Sequence, residues 1–322
     1  TLLILVVGGR YVIGGTMSLG EFTAFNGYLA ILIFPVIMLG FMSSLIAQAS
    51  AAYARLLPVL NAHEREDTGV HTERLRGALS FKNVSLSYGE KNVLKHISLT
   101  IPAGTRTAIV GPTAAGKTQL LSVMTGLIAP TEGDVLYDDR PIGEYSKKAL
   151  HEQVGMVFQD SSMFNTTLRE NIAFGATVTK EAFAKAVTVA ELDDFIAILP
   201  EGLNTMVSER GNSLSGGQKQ RVMLARALAL DPTVLLLDDF TARVDARTEK
   251  KILENVRTQF PGITLISVTQ KIASIQDYDQ IIVLMEGEVL AAGTHAELLE
   301  SSPEYVQMYD SQASTNQYEL RT

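Results

Sequence analysis

GPTAAGKT, residues Gly111–Thr118, separates the apolar run TAIV (107–110) from the apolar-periodic segment QLLSVMTGL (119–127). This order predicts a strand, a glycine-rich loop and a helix, and the loop fits the pattern G-x-x-x-x-G-K-[ST]. Backbone N–H groups in such a loop point at an anion, and the helix N-terminus adds partial positive charge. Lys117 can reach the terminal phosphates of a nucleotide, and the Thr118 hydroxyl can bind Mg²⁺. The stretch predicts an ATP–Mg²⁺ site; the alternative is a glycine-rich turn that binds nothing.

Composition excludes several kinds of chemistry. The 322 residues include no cysteine and only 5 histidines. Disulfides, thiolate metal sites and cysteine nucleophiles are therefore ruled out, and no histidine-based metal cluster is expected. The formal net charge is −8, without a cluster of Lys and Arg, which argues against nucleic acid as a partner.

Apolar residues concentrate at the start of the chain. Phe22–Tyr53 contains no charged residue and exceeds the roughly 20 residues that span hydrocarbon, so it predicts a transmembrane helix. A secretory signal would be shorter and would follow a basic region. Thr1–Ile13 is apolar and does not begin with Met, from which we expect the end of a membrane helix whose preceding part is missing. The charged segment 65–77 predicts a domain boundary, with 1–66 in the membrane part and 67–322 in a nucleotide-binding domain.

The rest of the chain predicts an α/β fold. Alternating hydrophobicity predicts half-buried strands over 78–88 and 93–101. Continuous apolar runs separated by helical segments predict buried parallel strands with crossover helices. These runs are TAIV (107–110), VGMVF (154–158), VLLL (234–237) and TLISV (264–268). Between about 161 and 230 the strand signal largely disappears, which predicts an inserted helical subdomain. The predicted fold class is an α/β P-loop NTPase domain with this helical subdomain, preceded by transmembrane helices.

Two further motifs add chemistry to the phosphate loop. VLLL ends in Asp238 and is followed by Asp239. A carboxylate at that strand end can hold Mg²⁺, and the next acidic residue can orient or deprotonate water. The sequence LSGGQ at 214–218 begins a helix, where Ser215 and the two glycines after it can form a second anion cradle. The alternative for this second motif is an ordinary serine cap.

The order of these motifs resembles that of ATP-binding-cassette (ABC) transporters. The phosphate loop, Gln159 after the second apolar run, LSGGQ and LLLDD follow one another as in this family, and the resemblance covers about 78–309. The membrane segment looks like the last helices of exporters, in which membrane and cassette domains share one chain. The resemblance implies an ATPase coupled to transport across a membrane, with ATP and Mg²⁺ as cofactors.

The resemblance also implies roles for residues that match the family motifs. Tyr88 corresponds to the aromatic side chain that stacks on adenine, TMVSERG (205–211) to an exporter-type loop, and Asp245 to the acidic residue of a loop that crosses to a partner cassette. The alternative for Tyr88 is a core or turn aromatic, and that for Asp245 is a helix cap. Residues expected to bind the nucleotide are Tyr88, Gly111, Pro112, Thr113, Ala114, Ala115, Gly116, Lys117, Thr118, Gln119, Gln159 and Asp238. Those expected to hold Mg²⁺ are Thr118, Gln159 and Asp238, and those expected to act in catalysis are Ser215, Gly217, Gln218, Asp239 and Gln270.

Cassettes of this family dimerise head to tail, so the resemblance implies that each ATP lies between one subunit's phosphate loop and the other's LSGGQ. One chain cannot complete a site, and the expected partners are a second half-transporter and the lipid bilayer. Closure on ATP and opening after hydrolysis would move the membrane helices between inward and outward access. Because ATP is cytosolic, we expect an integral membrane protein with a cytoplasmic nucleotide-binding domain. The sequence does not distinguish among small molecules, lipids and peptides as the exported substrate.

Ser208 stands where the exporter-type loop usually has Gly, and three further departures from the family pattern fall on the chain's own nucleotide site. Asp239 stands where Glu is usual, Gln270 where His is usual, and Ala114 where the phosphate loop usually has Gly. Asp is one methylene shorter than Glu, and Gln cannot become a cation or shuttle a proton. Together with an intact LSGGQ, these departures predict the degenerate-site subunit of a heterodimeric exporter. The alternatives are random decay of the site and a regulatory nucleotide-binding membrane protein that does not pump.

Overall fold

The computed structural model describes residues 2–62, 67–160, 162–175, 178–208, 211 and 213–319. The chain forms two compact units, Thr1–Glu66 and Asp67–Thr322. The predicted exporter-type loop is only partly described, because its residues 209 and 210 lie outside these ranges, as does residue 161 at the predicted start of the helical subdomain.

The described residues of the first unit form two helices, α1 (Leu2–Ile13) and α2 (Leu19–Leu60). α2 begins with a capping box, in which Ser18 Oγ accepts a hydrogen bond from the Glu21 amide and the Glu21 carboxylate accepts one from the Ser18 amide. α2 has 42 residues and is long and apolar enough to cross a membrane, by length and composition. It contains the predicted span 22–53 and extends beyond both ends of it, through both of its prolines.

The second unit mixes strands and helices. Its strands are β1 (Leu79–Tyr88), β2 (Lys91–Ile101), β3 (Arg106–Val110), β4 (Glu132–Tyr137), β5 (Arg140–Pro141), β6 (Val154–Val157), β7 (Val234–Asp238), β8 (Thr264–Val268), β9 (Gln280–Met285) and β10 (Glu288–Gly293). Its helices are α3 (Lys117–Met124), α4 (Lys147–Gln153), α5 (Leu168–Ala173), α6 (Lys180–Val189), α7 (Asp193–Ala197), α8 (Gly216–Leu228), α9 (Ala246–Gln259), α10 (His295–Ser301) and α11 (Pro303–Glu319). Short 3₁₀ turns lie at Ile142–Glu144, Gly202–Asn204, Phe240–Arg243 and Ile272–Ser274.

Six strands form the central sheet, in the order β10-β9-β3-β8-β7-β6. β9, β3, β8, β7 and β6 pair in parallel, and β10 adds an antiparallel edge. The four continuous apolar runs are therefore the parallel strands that the sequence predicts. β9, with the sequence QIIVLM, is a fifth parallel strand of the same apolar kind that the sequence analysis did not single out.

Four strands form a second, antiparallel sheet in the order β2-β1-β4-β5. The two segments with alternating hydrophobicity are its strands β1 and β2, which pair from Leu79 opposite Ile101 to Tyr88 opposite Lys91. β4 and β5 complete this sheet and were not predicted. The phosphate loop follows β3 of the central sheet, so the fold delivers it to the carboxyl edge of the parallel strands.

Alternate residues of the central strands face two separate cores. In β7, Val234 and Leu236 belong to the core shared with the antiparallel sheet, whereas Leu235 and Leu237 belong to the core shared with the helices. A strand that is covered on both faces has no polar face, which explains its continuous apolar run. Core residues pack against both faces of β7, and this packing also fixes the position of Asp238 at the carboxyl end of the strand.

Helices α5 to α8 fill the chain between β6 and β7. The described residues of this region form no strand, only an isolated bridge between Thr167 and Met206. Thr167 also begins α5 with a capping box that includes Glu170. The second unit is thus an α/β P-loop NTPase domain, with helices where the sequence predicts a helical insertion.

Candidate nucleotide-binding site

Two glycines of the phosphate loop have positive φ and little or no room for a side chain. Gly111 has φ +152°, and a Cβ there would lie 2.0 Å from the carbonyl oxygen of Leu284. Gly116 has φ +99°, and a Cβ there would lie 3.0 Å from the carbonyl oxygen of Val93. The loop backbone therefore packs directly against the backbones of β9 and β2, an approach that only glycine permits.

Ala114 of the same loop has a left-handed backbone, with φ +65°. The contact between its Cβ and the following carbonyl makes this conformation cost a non-glycine residue about 1–2 kcal/mol. Glycine would carry no such cost. The departure from the family pattern at this position is therefore accompanied by local backbone strain.

We expect Ala114→Gly to stabilise the chain by about 0.5–1 kcal/mol, because the strain removed exceeds the backbone entropy that glycine adds to the unfolded state. Ala115→Gly is the matched control, since it removes the same methyl group from a neighbour outside the left-handed region. That control should destabilise the chain by about 1 kcal/mol. Thermal unfolding of the purified full chain measures both changes, and equal losses in the two variants would contradict the assignment of strain.

Lys117 is only 9% exposed, and its ammonium group lies within the loop. Its Nζ donates hydrogen bonds to the carbonyl oxygens of Gly111 at 2.8 Å and Pro112 at 2.7 Å. Burial lowers the pKa of Lys117, and the charges of Asp239 and Asp238 act in the opposite direction. The loop positions this cation itself, so little side-chain entropy is left to lose when an anion binds.

Asp238 ends β7 and is 2% exposed. Burial raises its pKa, a hydrogen bond with the Thr118 side chain opposes that rise, and the charge of Asp239 adds to it. A carboxylate beside a hydroxyl supplies the oxygen donors that Mg²⁺ uses together with phosphate oxygens and water. The part of the chain that the structure describes has no cluster of three or more acidic or imidazole ligands. Asp238 and the Thr118 hydroxyl therefore fit a cation whose other ligands would come from a bound phosphate and water.

Asp239 lies at the turn after β7 and also has a left-handed backbone, with φ +46°. Its amide donates to the carbonyl oxygen of Val268 at 3.0 Å. Its carboxylate accepts a long hydrogen bond, 3.5 Å, from Gln159 Nε2. Gln270 follows β8 and lines the same cleft as Asp239 and Gln159. The structure thus brings these three predicted residues together beside the phosphate loop.

The cleft has a volume of about 560 Å³ and gathers most of the predicted nucleotide residues. Those that line it are Thr113, Ala114, Ala115, Gly116, Lys117, Thr118, Gln119, Gln159, Asp238, Asp239 and Gln270. Gly111 and Pro112 supply the carbonyl groups that hold Lys117. Tyr88 is 50% exposed, and its hydroxyl donates to Gln119 Oε1 at 2.9 Å. Tyr88 is therefore a surface aromatic next to the cleft and not a core residue; it directly precedes the turn between β1 and β2, so the turn alternative stays open.

The predicted residues of LSGGQ, namely Ser215, Gly217 and Gln218, lie outside the set that lines this cleft. The Gln218 amide donates to Ser215 Oγ at 3.3 Å, and the Ser215 amide donates to Gln218 Oε1 at 2.8 Å. These two bonds form a capping box at the start of α8. Asp245 likewise caps α9 by accepting from the Thr248 amide at 3.0 Å. Both cap alternatives are thus present in the structure, and neither excludes a further role.

Sequence reasoning missed several residues that line the cleft. They are Lys91, Asn92, Val93, Lys95 and Glu286. The first four lie in β2, shortly after Tyr88, and the two lysines so close to that aromatic residue are the signal that could have found them. Glu286 lies in the turn between β9 and β10, and the sequence carries no signal for it. The lysines add positive charge to a cleft that would receive phosphates.

Gln220 is another residue that sequence reasoning missed. It is fully buried in α8, and its Nε2 donates to the carbonyl oxygen of Gln159 at 2.8 Å. Its Oε1 has no hydrogen-bond partner within the described ranges. This side chain ties the helix that begins with LSGGQ to the loop that presents Gln159 to Asp239.

Comparison with known proteins shows which family the chain resembles. The sequence model of the family described as ABC transporter matches residues 94–242. YknU of Bacillus subtilis, an uncharacterized ABC transporter ATP-binding protein, is 36% identical over 96% of this chain and 54% of its own length. The ATP-dependent lipid A-core flippase of Desulfotalea psychrophila is 34% identical over 96% of this chain and 55% of its own length. The chain thus spans about half the length of the curated relatives it matches.

A solved structure is also similar. It is that of a bacterial Atm1-family ABC exporter with ATP bound, which has 34% sequence identity and a TM-score of 0.76. The similarity covers 97% of this chain and 56% of that chain. With 34% sequence identity, this chain and the exporter are similar in sequence as well as in fold.

Proposed function

The chain carries an ATP-binding domain of the ABC transporter family, and from this premise we propose that it is one half of an ATP-driven exporter. Similar proteins are named as a lipid flippase and as an exporter with ATP bound, which supports this assignment. In the proposal, α2 crosses the bilayer and the nucleotide-binding domain lies in the cytoplasm, where ATP is available. The cargo is a small molecule, a lipid or a peptide.

We assign the nucleotide to the cleft beside the phosphate loop. The loop amides and Lys117 bind the phosphates, and the exposed ring of Tyr88 packs on the base. Thr118, Asp238 and Gln159 hold Mg²⁺, which neutralises negative charge on the phosphate oxygens when it is bound. The residues fit a nucleotide in three ways. The loop begins at Gly111, which cannot accept a Cβ, it holds the Lys117 cation, and it lies beside a buried carboxylate–hydroxyl pair.

The proposed site holds ATP rather than hydrolysing it quickly. The observation that carries this is the presence of Asp239 and Gln270 in the cleft of a chain whose LSGGQ is intact. The Asp239 carboxylate is one methylene short of the usual Glu, and a displacement of about 1 Å can cost on the order of a hundredfold in rate. Gln270 can donate a hydrogen bond to a phosphate but cannot carry a positive charge.

The proposed partner is a second half-transporter, a different chain that has Glu and His at the two altered positions. In this arrangement Ser215, Gly217 and Gln218 complete the partner's hydrolytic site across the dimer. Their separation from the chain's own cleft is consistent with that role. The partner's LSGGQ closes over the phosphate loop described above.

Separate substitutions of Lys117 and Ser215 in the assembled complex test this asymmetry. We expect Ser215→Ala to lower the ATPase rate of the complex by about tenfold or more, because it removes a contact to the hydrolysed phosphate. Lys117→Met should lower the rate much less, since it affects the nucleotide that is held. The measurement is steady-state ATPase activity of both variants at saturating ATP.

Thr294→Ala is the matched control for Ser215→Ala. Thr294 caps α10 with a capping box of the same kind, formed with Glu297. Both substitutions should therefore cost about 1 kcal/mol of stability. Only Ser215→Ala should reduce the ATPase rate. Equal losses from Lys117→Met and Ser215→Ala, or no loss from Ser215→Ala, would refute the asymmetric arrangement.

A regulatory nucleotide-binding membrane protein is the second candidate function. Asp239 and Gln270 favour it, because both changes weaken hydrolysis while the phosphate loop that binds ATP is kept. The same assay separates the two candidates. A complex that binds ATP but has no ATPase activity with its partner would support regulation rather than export.

A further inference from the structure

The segment that carries Gln270 separates two clefts. Gln270 lines the nucleotide cleft and also a second cleft of about 1090 Å³, which lies between α9 and α11. Lys271 and Ser274 line the second cleft only. Residues 270–274, here called the switch segment, therefore lie between the two clefts, with Ile272 buried in the core.

Gln312 of α11 binds the backbone of the switch segment with both ends of its amide. Its Nε2 donates to the carbonyl oxygen of Gln270. Its Oε1 accepts from the Ile272 amide at 2.8 Å. The two bonds bracket Lys271, so one side chain contacts the backbone on both sides of that residue. The bond from the Lys271 amide to Thr269 Oγ1 and the buried Ile272 side chain also hold this backbone. An amide is the side chain that can donate and accept at once in this way.

α11 is itself anchored to the domain. Tyr305 is fully buried, and its hydroxyl lies 2.7 Å from His295 Nδ1. Met308 and Tyr309 pack against the core that is shared with the helices. Gln312 follows one turn after Tyr309 on the same helix, so it is presented from a fixed support.

The opposite side of the switch segment contacts α9. Glu249 is 3% exposed, and its Oε2 lies 3.9 Å from Lys271 Nζ. Glu249 lies one turn after Asp245, the cap of α9. The switch segment is thus held between two helices, with a charged pair on one side and the Gln312 amide on the other.

We propose that Gln312 is a positioning residue that fixes the switch segment so that the Gln270 side chain stays in the nucleotide cleft. The inference deepens the proposed function, because it rests on Gln270 contacting the terminal phosphate of ATP. The C-terminal helix α11 then controls how well the site distinguishes ATP from ADP, which lacks that phosphate. Loss of the clamp lowers the fraction of molecules in which Gln270 is placed to bind, and the apparent affinity for ATP falls by that fraction.

Gln312→Met tests the clamp, because methionine keeps the length and helix propensity of the side chain and removes both hydrogen bonds. Gln307→Met is the matched control, since Gln307 is an exposed residue of the same helix. Amide hydrogen exchange of the purified full chain measures the protection of the Ile272 amide. We expect its exchange to rise about threefold to tenfold in Gln312→Met and to stay unchanged in Gln307→Met. Unchanged exchange in Gln312→Met would overturn the proposal.

The affinities for ATP and ADP, measured on the same preparations, test the consequence. Gln312→Met should reduce the preference for ATP over ADP by about threefold or more and leave the affinity for ADP unchanged. A purely structural role would lower both affinities together and would overturn the positioning role. Gln312→Glu keeps the acceptor for the Ile272 amide but places a carboxylate against the Gln270 carbonyl. It should therefore reduce the preference for ATP while Ile272 stays more protected than in Gln312→Met.

Gln270→Ala separates a failure of the inference from a failure of the proposed function. This variant should reduce the preference for ATP to the level of Gln312→Met, and combining the two changes should add little. If Gln270→Ala leaves both affinities unchanged while Gln312→Met still exposes Ile272, the clamp stands and the contact between Gln270 and the terminal phosphate is wrong.

Discussion

Gly111→Ala is expected to lower the melting temperature of the full chain by roughly 10 °C and to abolish ATP binding. The added Cβ would lie 2.0 Å from the carbonyl oxygen of Leu284, closer than any real contact of this kind. That oxygen belongs to the backbone of β9, so no side-chain rotation can relieve the contact. The start of the phosphate loop would have to move, and the carbonyl of residue 111 that holds Lys117 would move with it.

Gly143→Ala is the control for this variant, because a Cβ at Gly143 meets no atom within 4 Å. It should change the melting temperature by no more than about 3 °C. Thermal unfolding and binding of a fluorescent ATP analogue to the purified full chain measure both effects. A Gly111→Ala chain that binds the analogue with the affinity of the unmodified chain would show that the loop can move without harm, and the rigid cradle described above would be wrong.

Short sequence motifs were enough to predict those residues of the site that directly follow a glycine-rich loop or an apolar strand. Lys117 and Thr118 follow their glycine-rich loop directly, and Asp238 ends an apolar strand. The central strands were predictable for a related reason: in β7, burial on both faces requires an unbroken apolar run, which is visible without any knowledge of partners.

Contacts between distant residues were not predictable in this way. Gln220 binds the Gln159 carbonyl across 61 positions, and Gln312 binds the Gln270 carbonyl across 42. From the sequence alone, Gln220 and Gln312 are ordinary polar residues, because the sequence does not indicate which backbone carbonyl lies opposite each of them. The strand order of the sheet determines where the Gln159 and Gln270 carbonyls lie. Only the folded structure therefore shows that Gln220 and Gln312 hydrogen-bond to the backbone of the site.

Part of the backbone strain lies in the nucleotide cleft. Three of the ten described non-glycine residues with positive φ line it, namely Ala114, Asp239 and Glu286. Asp accepts the left-handed conformation more readily than Glu, because its short polar side chain can hydrogen-bond locally. Asp at position 239 therefore suits the conformation of the turn after β7 better than the Glu that is usual in the family.

Asp239→Glu is expected to raise hydrolysis at the chain's own site by up to about a hundredfold, because the longer side chain restores the reach of the general base. In a Ser215→Ala background, where the partner's proposed site is slowed, the increase is measured directly as steady-state ATPase activity of the complex. The same change should lower the melting temperature by a few degrees, since Glu fits φ +46° less well than Asp.

Asp160→Glu is the matched control for Asp239→Glu. Asp160 is next to Gln159, its side chain is 95% exposed, and it pairs with Arg243 at 3.2 Å rather than lining the cleft. The Asp160→Glu variant should leave the ATPase rate unchanged.

Adding Gln270→His to Asp239→Glu should raise the ATPase rate further, because a histidine can carry the charge and the proton that glutamine cannot. If neither the single nor the double variant hydrolyses ATP faster than the Ser215→Ala complex alone, then Asp239 and Gln270 are not what limits hydrolysis at this site, and the proposed cause of its impairment is wrong.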